Sequence, residues 1–539
     1  MPVLLSAPAH AAGPSASVEQ RALARAAETG KRVEVVGART EFATTYANPD
    51  GFTFRLEQSA VPVRVKSRGG SWVKPDATLE QRSDGTVAPK AAAVDLTFSG
   101  GGAGTGLVKI ARDGRTLALG WPGRLPEPTL DGNSAVYANV LPDIDLRMTA
   151  TVEGFREVLV VKTPKAASDP ELKKITFSAH ATGLKLSPTE GGGMTAVDAN
   201  ATEVFSAPPA MMWDSSGKAS PASGPAASAR AATTRPAAHG DRTAGPVPGD
   251  ETADLPIQVG KNAISLAPDA KMLKETDASA FPLYIDPTVS WGEAERTLLR
   301  SDGYRFYNFD NQDEDGGERG KGVGRCGTWG GYYCGPGHVQ RLYYEFSPAN
   351  LAGKHILGAT FRVTEPWAFQ CDPRWVDLVR TNNISSSTAW SSRPGELDLM
   401  VDRNVSAGRG SLCDPDTPDA PIDFADNADE TNENLTATVR NFAAGKFARL
   451  TLMLRAHDEG DTSAWKRFKN DATLVVDYVG KPNSPTPFGF VTGTGLSCLP
   501  KVDAPGTISD PTPQLSATAR TVVGGSPEAQ LRVRFQVQK

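Results

Sequence analysis

The sequence predicts an all-β chain: a β-sandwich domain, then a jelly-roll domain, then a truncated immunoglobulin-like segment. Three observations predict it. The 539 residues include 53 Gly and 41 Pro at 39% hydrophobic content, a composition poor in long helices and rich in turns. Apolar and polar residues alternate with a period of two along most apolar runs, as half-buried strands require. Turn signals separate those runs about every ten residues, the rhythm of antiparallel sheets.

The first element is the exception. "SVEQRALARAAETGKR", Ser17 to Arg32, predicts a short helix, with Ser17 as cap, Gln20 at the capping-box position and Gly30 as the stop. The period then changes to two in "RVEVVG", "FTFRLEQ", "VPVRVKS" and "VDLTFSG". Asp113-Gly114 marks a hairpin between "LVKI" and "TLALGW". "IDLRMTATVEGFREVLVVKT", Ile144 to Thr163, reads as two strands around Glu153-Gly154. Ser215 to Glu251 is nearly all Ala, Ser, Gly, Pro and charge, and cannot bury enough surface to offset chain entropy. Strands resume at "LPIQVGKNAISLAPD" and close with "FPLYIDPTVSW". The expectation is therefore a leader helix at 13–30 and a sandwich over 31–288, with a disordered insertion at 215–251 inside it.

Six of the nine Trp and all but one of the five Cys lie between Trp291 and Trp465. The strand-like runs there include "RLYYEFS", "ILGATFRVTE", "WVDLVRT", "RLTLMLRAH" and "ATLVVDYVG". A short helix over Asn434 to Lys446 interrupts them, its Leu435, Val439 and Phe442 at helical spacing and Gly445 ending it. Strands with one short helix predict a jelly roll over 289–480. "KPNSPTP", residues 481–487, reads as a rigid linker. Residues 488–539 read as the first strands of an immunoglobulin-like module, too few for a sandwich of about 100 residues.

Composition narrows function by exclusion. A net charge of −5 gives no broad basic field for nucleic acid. No apolar run reaches the roughly 18 residues that a spanning helix needs. Ala9-His10-Ala11 fits a signal-peptidase site, so residues 1–12 read as the remnant of a secretory signal. In an exported chain disulfides are the default use of cysteine. The seven residues between Cys326 and Cys334 are too many for a redox C-x-x-C, and no zinc-type spacing occurs. We expect Cys326 bonded to Cys334 and Cys371 to Cys413, contributing roughly 2.5 and 4 kcal/mol by loop entropy. Cys498 is left over, with its partner expected on sequence beyond this chain.

Two surface features are candidate sites. In "DNQDEDGGERGKG", Asn311, Asp313 and Asp315 alternate before Gly316 like the first half of a calcium loop, but Gly322 stands where the closing Glu belongs. The tract reads either as a weak structural Ca²⁺ site or as solvated charge. Trp329, Tyr332 and Tyr333, inside the loop that Cys326 and Cys334 close, either stack on sugar rings or cover the local core. No G-x-S-x-G, H-E-x-x-H or P-loop occurs, and 62 acidic residues make any chosen glycosidase pair meaningless.

"YANVLPDIDLRMTATVEGFREVLVVKT" and "FPLYIDPTVSW" resemble the N-terminal β-sandwich of large exported bacterial surface proteins of the wall-associated and RHS-repeat type. "QRLYYEFSPANLAGKHILGATFRV" and "VDLVRTNNISSSTAWSSRP" resemble the DNRLRE-type jelly-roll module of exported actinobacterial proteins. Ig-like and laminin-G-like domains often follow in such chains. The resemblance covers roughly residues 20–480 and implies no settled activity. It implies a non-enzymatic secreted or cell-surface scaffold within a larger multidomain chain. The alternatives are a carbohydrate-binding accessory module that contacts cell-wall or extracellular glycan, or the export and shielding front of an RHS-like toxin or hydrolase.

Overall fold

The computed structural model describes residues 17–102, 106–217, 242–292, 294–313, 317–330, 332–430, 432–480 and the strand pair 488–491 with 514–517. The expected signal remnant at 1–12, the expected linker at 481–487, Cys498 and most of the expected immunoglobulin-like segment lie outside these residues. The protein is all-β, 47% strand and 11% helix.

The first unit is two packed sheets made largely of consecutive hairpins. One has eight strands, beginning at one edge with Asp76–Gln81, Val87–Ala91, Asp95–Phe98, Val108–Arg112 and Arg115–Gly120. Asp113 and Gly114 turn the last hairpin at φ 48° and 78°, the left-handed pair such a two-residue turn needs. The facing sheet runs Thr129–Asp131, Ser134–Leu141, Ile144–Ala150 and Gly154–Val161 in sequence order before longer connections begin. Leu96, Phe98, Leu119, Leu146, Phe155 and Phe177 fill the space between the sheets. The strands either side of the Ala/Ser/Gly/Pro segment, Ala210–Trp213 and Thr252–Leu255, pair with each other.

Its flanks are not disordered, contrary to the sequence expectation for 215–251. Residues 218–241 lie outside the described residues, but 242–251 fold back onto the unit. Arg242 and Asp250 form a fully buried ion pair, the Trp213 indole donates to the Arg242 carbonyl at 3.2 Å, and Val247 N donates to Asp250 at 2.8 Å. The segment's average composition hid one paired charge that tethers it.

The second unit is not the 289–480 block that the sequence predicts. Its six-stranded sheet runs Val33–Glu34, Ala43–Ala47, Phe54–Ser59, Thr473–Gly480, Lys354–Glu365 and Ala420–Ala425. The strands from 33 to 59, expected in the first sandwich, lie here. Phe54 pairs with Tyr478 and Ser59 with Thr473 in an unbroken antiparallel register. The physical reason is coverage: without this hairpin the strand Thr473–Gly480 would be an edge with unpaired backbone groups. Leu56 enters the same core as Phe346, Phe361, Phe424, Leu474 and Val476. The N-terminal helix, Val18–Thr29, packs there through Ala22, Leu23 and Ala26, with both capping-box hydrogen bonds of Ser17 and Gln20 in place. The opposite sheet holds the long hairpin Lys321–Trp329 and Tyr332–Phe346 beside Leu450–Ala456, Arg374–Thr381 and Glu396–Val405. The helix Leu435–Ala443 lies against the strand Lys354–Glu365 and buries Leu435, Val439 and Phe442.

The units share an interior. Val158, Trp213 and Tyr284, on the first unit, pack in one cluster with Leu298, Tyr304 and Phe306 of the second. The strand Gly154–Val161 is therefore buried on both faces, although it carries two adjacent charges, Arg156 and Glu157.

Candidate functional site

The stapled hairpin has the disulfide connectivity that the sequence implies. Cys326 bonds Cys334, and Cys371 bonds Cys413. Both sulfurs of the first bridge are buried with Phe369 and Trp465, and Trp367 packs alongside. This bridge therefore closes a small satellite core. At the hairpin tip Trp329 is 40% exposed, while Tyr333 is half-buried. The backbone of Tyr332 pairs with that of Trp329, and its side chain lies outside the described residues.

The expected calcium ligands have other work. Asp313 is fully buried, 2.5 Å from Arg319 and 3.4 Å from Arg467, and its Oδ1 accepts the Gly317 N–H at 2.8 Å. Two guanidinium groups supply the compensation that a cation would bring, so the side chain reads as structural rather than metal-binding. Asn311 Oδ1 accepts from Asn470 N at 2.7 Å and so ties the loop to the body. Asp315 lies outside the described residues. A denser oxygen cluster occurs elsewhere: Asp402 belongs to one triad with Asp377 and His457 and to another with Glu430 and Glu433. Burial, then repulsion from Glu430, Asp377 and Glu433, raises the Asp402 carboxyl. Arg455 sits 3.0 Å from Asp377 and Arg403 2.8 Å from Glu433, so two carboxylates of this cluster are already paired.

A cleft of about 330 Å³ lies where the two units meet. Its floor is the turn before Gly154. A Cβ on Gly154 would lie 2.3 Å from the Val289 carbonyl, so only glycine lets the turn approach that strand and carry Glu153 inward. Glu153 Oε2 accepts from Arg296 Nη2 at 2.7 Å. The same guanidinium donates to the carbonyls of Phe309 at 2.7 Å, Asn308 at 3.2 Å and Ala60 at 3.4 Å, pinning three chain segments to one point. Glu153 Oε1 is buried and has no partner. Burial pushes the Glu153 carboxyl up, and Arg296 opposes it. Behind it Arg156 binds Asp286 at 3.3 Å and donates to the Ala244 carbonyl at 3.0 Å.

Two further acids are buried, one inside the first unit and one at the junction. Glu157 points into an apolar pocket lined by Leu119, Phe177 and Ile264; burial, with Asp286 adding repulsion, raises its carboxyl well above the usual range. Glu295 is pushed up to about 8 by burial and the adjacent Glu345, against the pull of Arg449. Arg449 Nη1 lies 2.7 Å from Glu345 and 3.6 Å from Glu295. None of Glu153, Glu157, Glu295, Glu345 or Arg296 was a candidate from sequence. The available signal was a charged residue inside a strand whose neighbours on the same face are apolar, as Glu157 is in "FREVLVV".

No family model matches the chain, and no curated protein matches it. Among solved structures, an exo-β-1,3-galactanase from Phanerochaete chrysosporium bound to β-1,3-galactotriose aligns at 11% identity over 77% of this chain and 98% of that one, with a TM-score of 0.14. The same enzyme with galactose aligns at 11% identity over 76% and 98%, with a TM-score of 0.13. At such scores neither alignment informs fold or function.

Proposed function

We propose that this chain is a non-enzymatic secreted or cell-surface β-protein, acting as the scaffold region of a larger multidomain chain of the RHS/wall-associated and DNRLRE-containing type. The observation that carries the reading is the N-terminal hairpin completing the second unit's sheet, so that the chain's beginning and residues 473–480 lock one another. A display scaffold needs such rigidity, because a module held on a floppy stalk is poorly oriented. The two disulfides support an oxidising compartment. Among the described residues no helix is long and apolar enough to cross a membrane. The test is deletion of residues 17–480 in the producing cell, with an epitope tag at the C-terminus. The tag should still leave the cell, but it should disappear from the cell surface and collect in the medium. A tag that still reaches the surface would sink the scaffold role, and free thiols at Cys326, Cys334, Cys371 and Cys413 would sink the compartment.

A second reading, a glycan-binding accessory module, is favoured by Trp329, whose ring stands 40% exposed at the tip of a hairpin that a disulfide closes. A pinned aromatic stacks on a sugar face with little entropy loss.

A further inference from the structure

We infer that the junction cleft is a binding site for a small neutral saccharide, distinct from the stapled hairpin. The inference does not depend on the scaffold role, and it shares with the glycan reading only the chemical class of ligand. At about 330 Å³ the cleft is at the lower end of the range for small-molecule sites, enough for a ligand of one or two sugar rings.

Three observations define the ligand. The first is Glu153, which lines the cleft with one carboxylate oxygen holding Arg296 and the other, Oε1, buried and without a hydrogen-bond partner. A buried polar atom left unpaired is costly, and a ligand hydroxyl hydrogen-bonded to it would recover that cost. The second is charge. Glu153, Asp310 and Glu318 line the cleft against Arg147, Arg156 and Arg296, so the wall carries as many carboxylates as guanidinium groups. Asp310 is further paired with Lys321 at 3.2 Å, and Arg156 with Asp286. Such a wall has no net field for an anion or a cation, yet it offers donors and acceptors side by side. The third is the polar remainder: Asn133, Asn308, Asn311, Gln312 and Asn470 add carboxamides, which can donate and accept. A ligand with many hydroxyls and no charge fits all three; an apolar ligand or a phosphate fits none.

The position also assigns a consequence. The cleft wall comes from the crossover at Val61–Pro62, the turn carrying Glu153, the Thr243–Ala244 flank, residues 308–312 and Glu318. A bound saccharide would cross-link both units and should raise their stability together.

The test titrates the full chain with neutral mono-, di- and trisaccharides, following chemical shifts and heat, with inorganic phosphate and spermidine as charged controls. Neutral saccharides should bind and the controls should not. Glu318→Ala and Gln312→Ala change exposed wall residues and should fold normally. Each should weaken binding about five- to tenfold, the worth of a hydrogen bond to the ligand. Glu153→Gln probes the floor and should weaken binding at least as much; if it fails to fold, the two wall variants still decide the matter. Trp329→Ala should leave binding unchanged. Binding lost in Trp329→Ala but kept in the wall variants would overturn the cleft and leave the hairpin as the glycan site. Tighter binding of phosphate or spermidine, or no saccharide binding at all, would overturn the inference outright.

Discussion

The two β-units differ in how far apart in sequence their partners lie. In the first, Asp76–Gln81 through Arg115–Gly120 and Thr129–Asp131 through Gly154–Val161 pair mostly with the next strand along the chain. In the second, Phe54–Ser59 pairs with Thr473–Gly480, and Lys354–Glu365 lies between Thr473–Gly480 and Ala420–Ala425. Local pairing is driven by turns, which the chain encodes where they occur. Distant pairing is driven by the need to cover an edge and fill a core, which no local window encodes. Both disulfides lie in the second unit, but they span only 8 and 42 residues and so do not tie its distant strands together.

The largest effect follows directly. Deleting residues 17–60 would strip the second unit of a hairpin and a helix and bare the strand Thr473–Gly480 along its length. We expect the second unit to lose cooperative unfolding by calorimetry and its protection from protease, while the first unit keeps both. A shortened chain that melts like the full chain would show that the two units are as separate as the sequence expectation had them.

A smaller effect probes the boundary between the units. Glu295 and Glu345 share a buried environment with Arg449, and Tyr307 bonds both Glu295 and Ser206 of the first unit. Because burial holds the Glu295 carboxyl up at about 8, the folded state binds a proton there that the unfolded state releases near 4.5. Stability from this group is therefore complete below about pH 4.5 and is lost as pH rises through 8. Between pH 6 and 8 the loss is about 2 kcal/mol. Denaturant titrations should show that decline, and Glu295→Gln should remove most of it. An unchanged slope in the variant would place the proton on Glu345 or elsewhere.

Legibility in the sequence follows the same division. The Ser17 and Gln20 capping box, the Asp113-Gly114 turn, the helix around Val439 and both disulfide pairings were readable, because each depends on residues close together or on the compartment's chemistry. The placement of Phe54 and Leu56 was not: their alternation fits any half-buried sheet and does not say which one. The site was least legible of all. Asp313 looked like a ligand because it stands in an acidic run, and is instead held by Arg319 and by Arg467 from far along the chain. Glu153 looked like a turn residue, and only the approach of Arg296 from the second unit makes it a cleft floor.

The smallest effect is the most informative about the seam itself. Arg55 and Asp477 face each other across it, paired in register, with two hydrogen bonds of 2.8 and 2.6 Å. The geometry invites the view that this ion pair selects the long-range register. Magnitude argues otherwise. The two side chains are 22% and 32% exposed, so water screens much of their attraction. Pairs of this kind are worth about 0.2–1 kcal/mol. Phe54 stacked on Tyr478 at 5.6 Å, and Leu56 fully buried beside Val476, together remove far more apolar surface from water. A double-mutant cycle on Arg55→Ala and Asp477→Ala should therefore give a coupling below about 1 kcal/mol, falling with added salt. Leu56→Ala should cost several times more, about 2–5 kcal/mol. If the coupling instead exceeded the cost of Leu56→Ala, charge rather than burial would be choosing the partner strand, and the contrast drawn between the two units would fail.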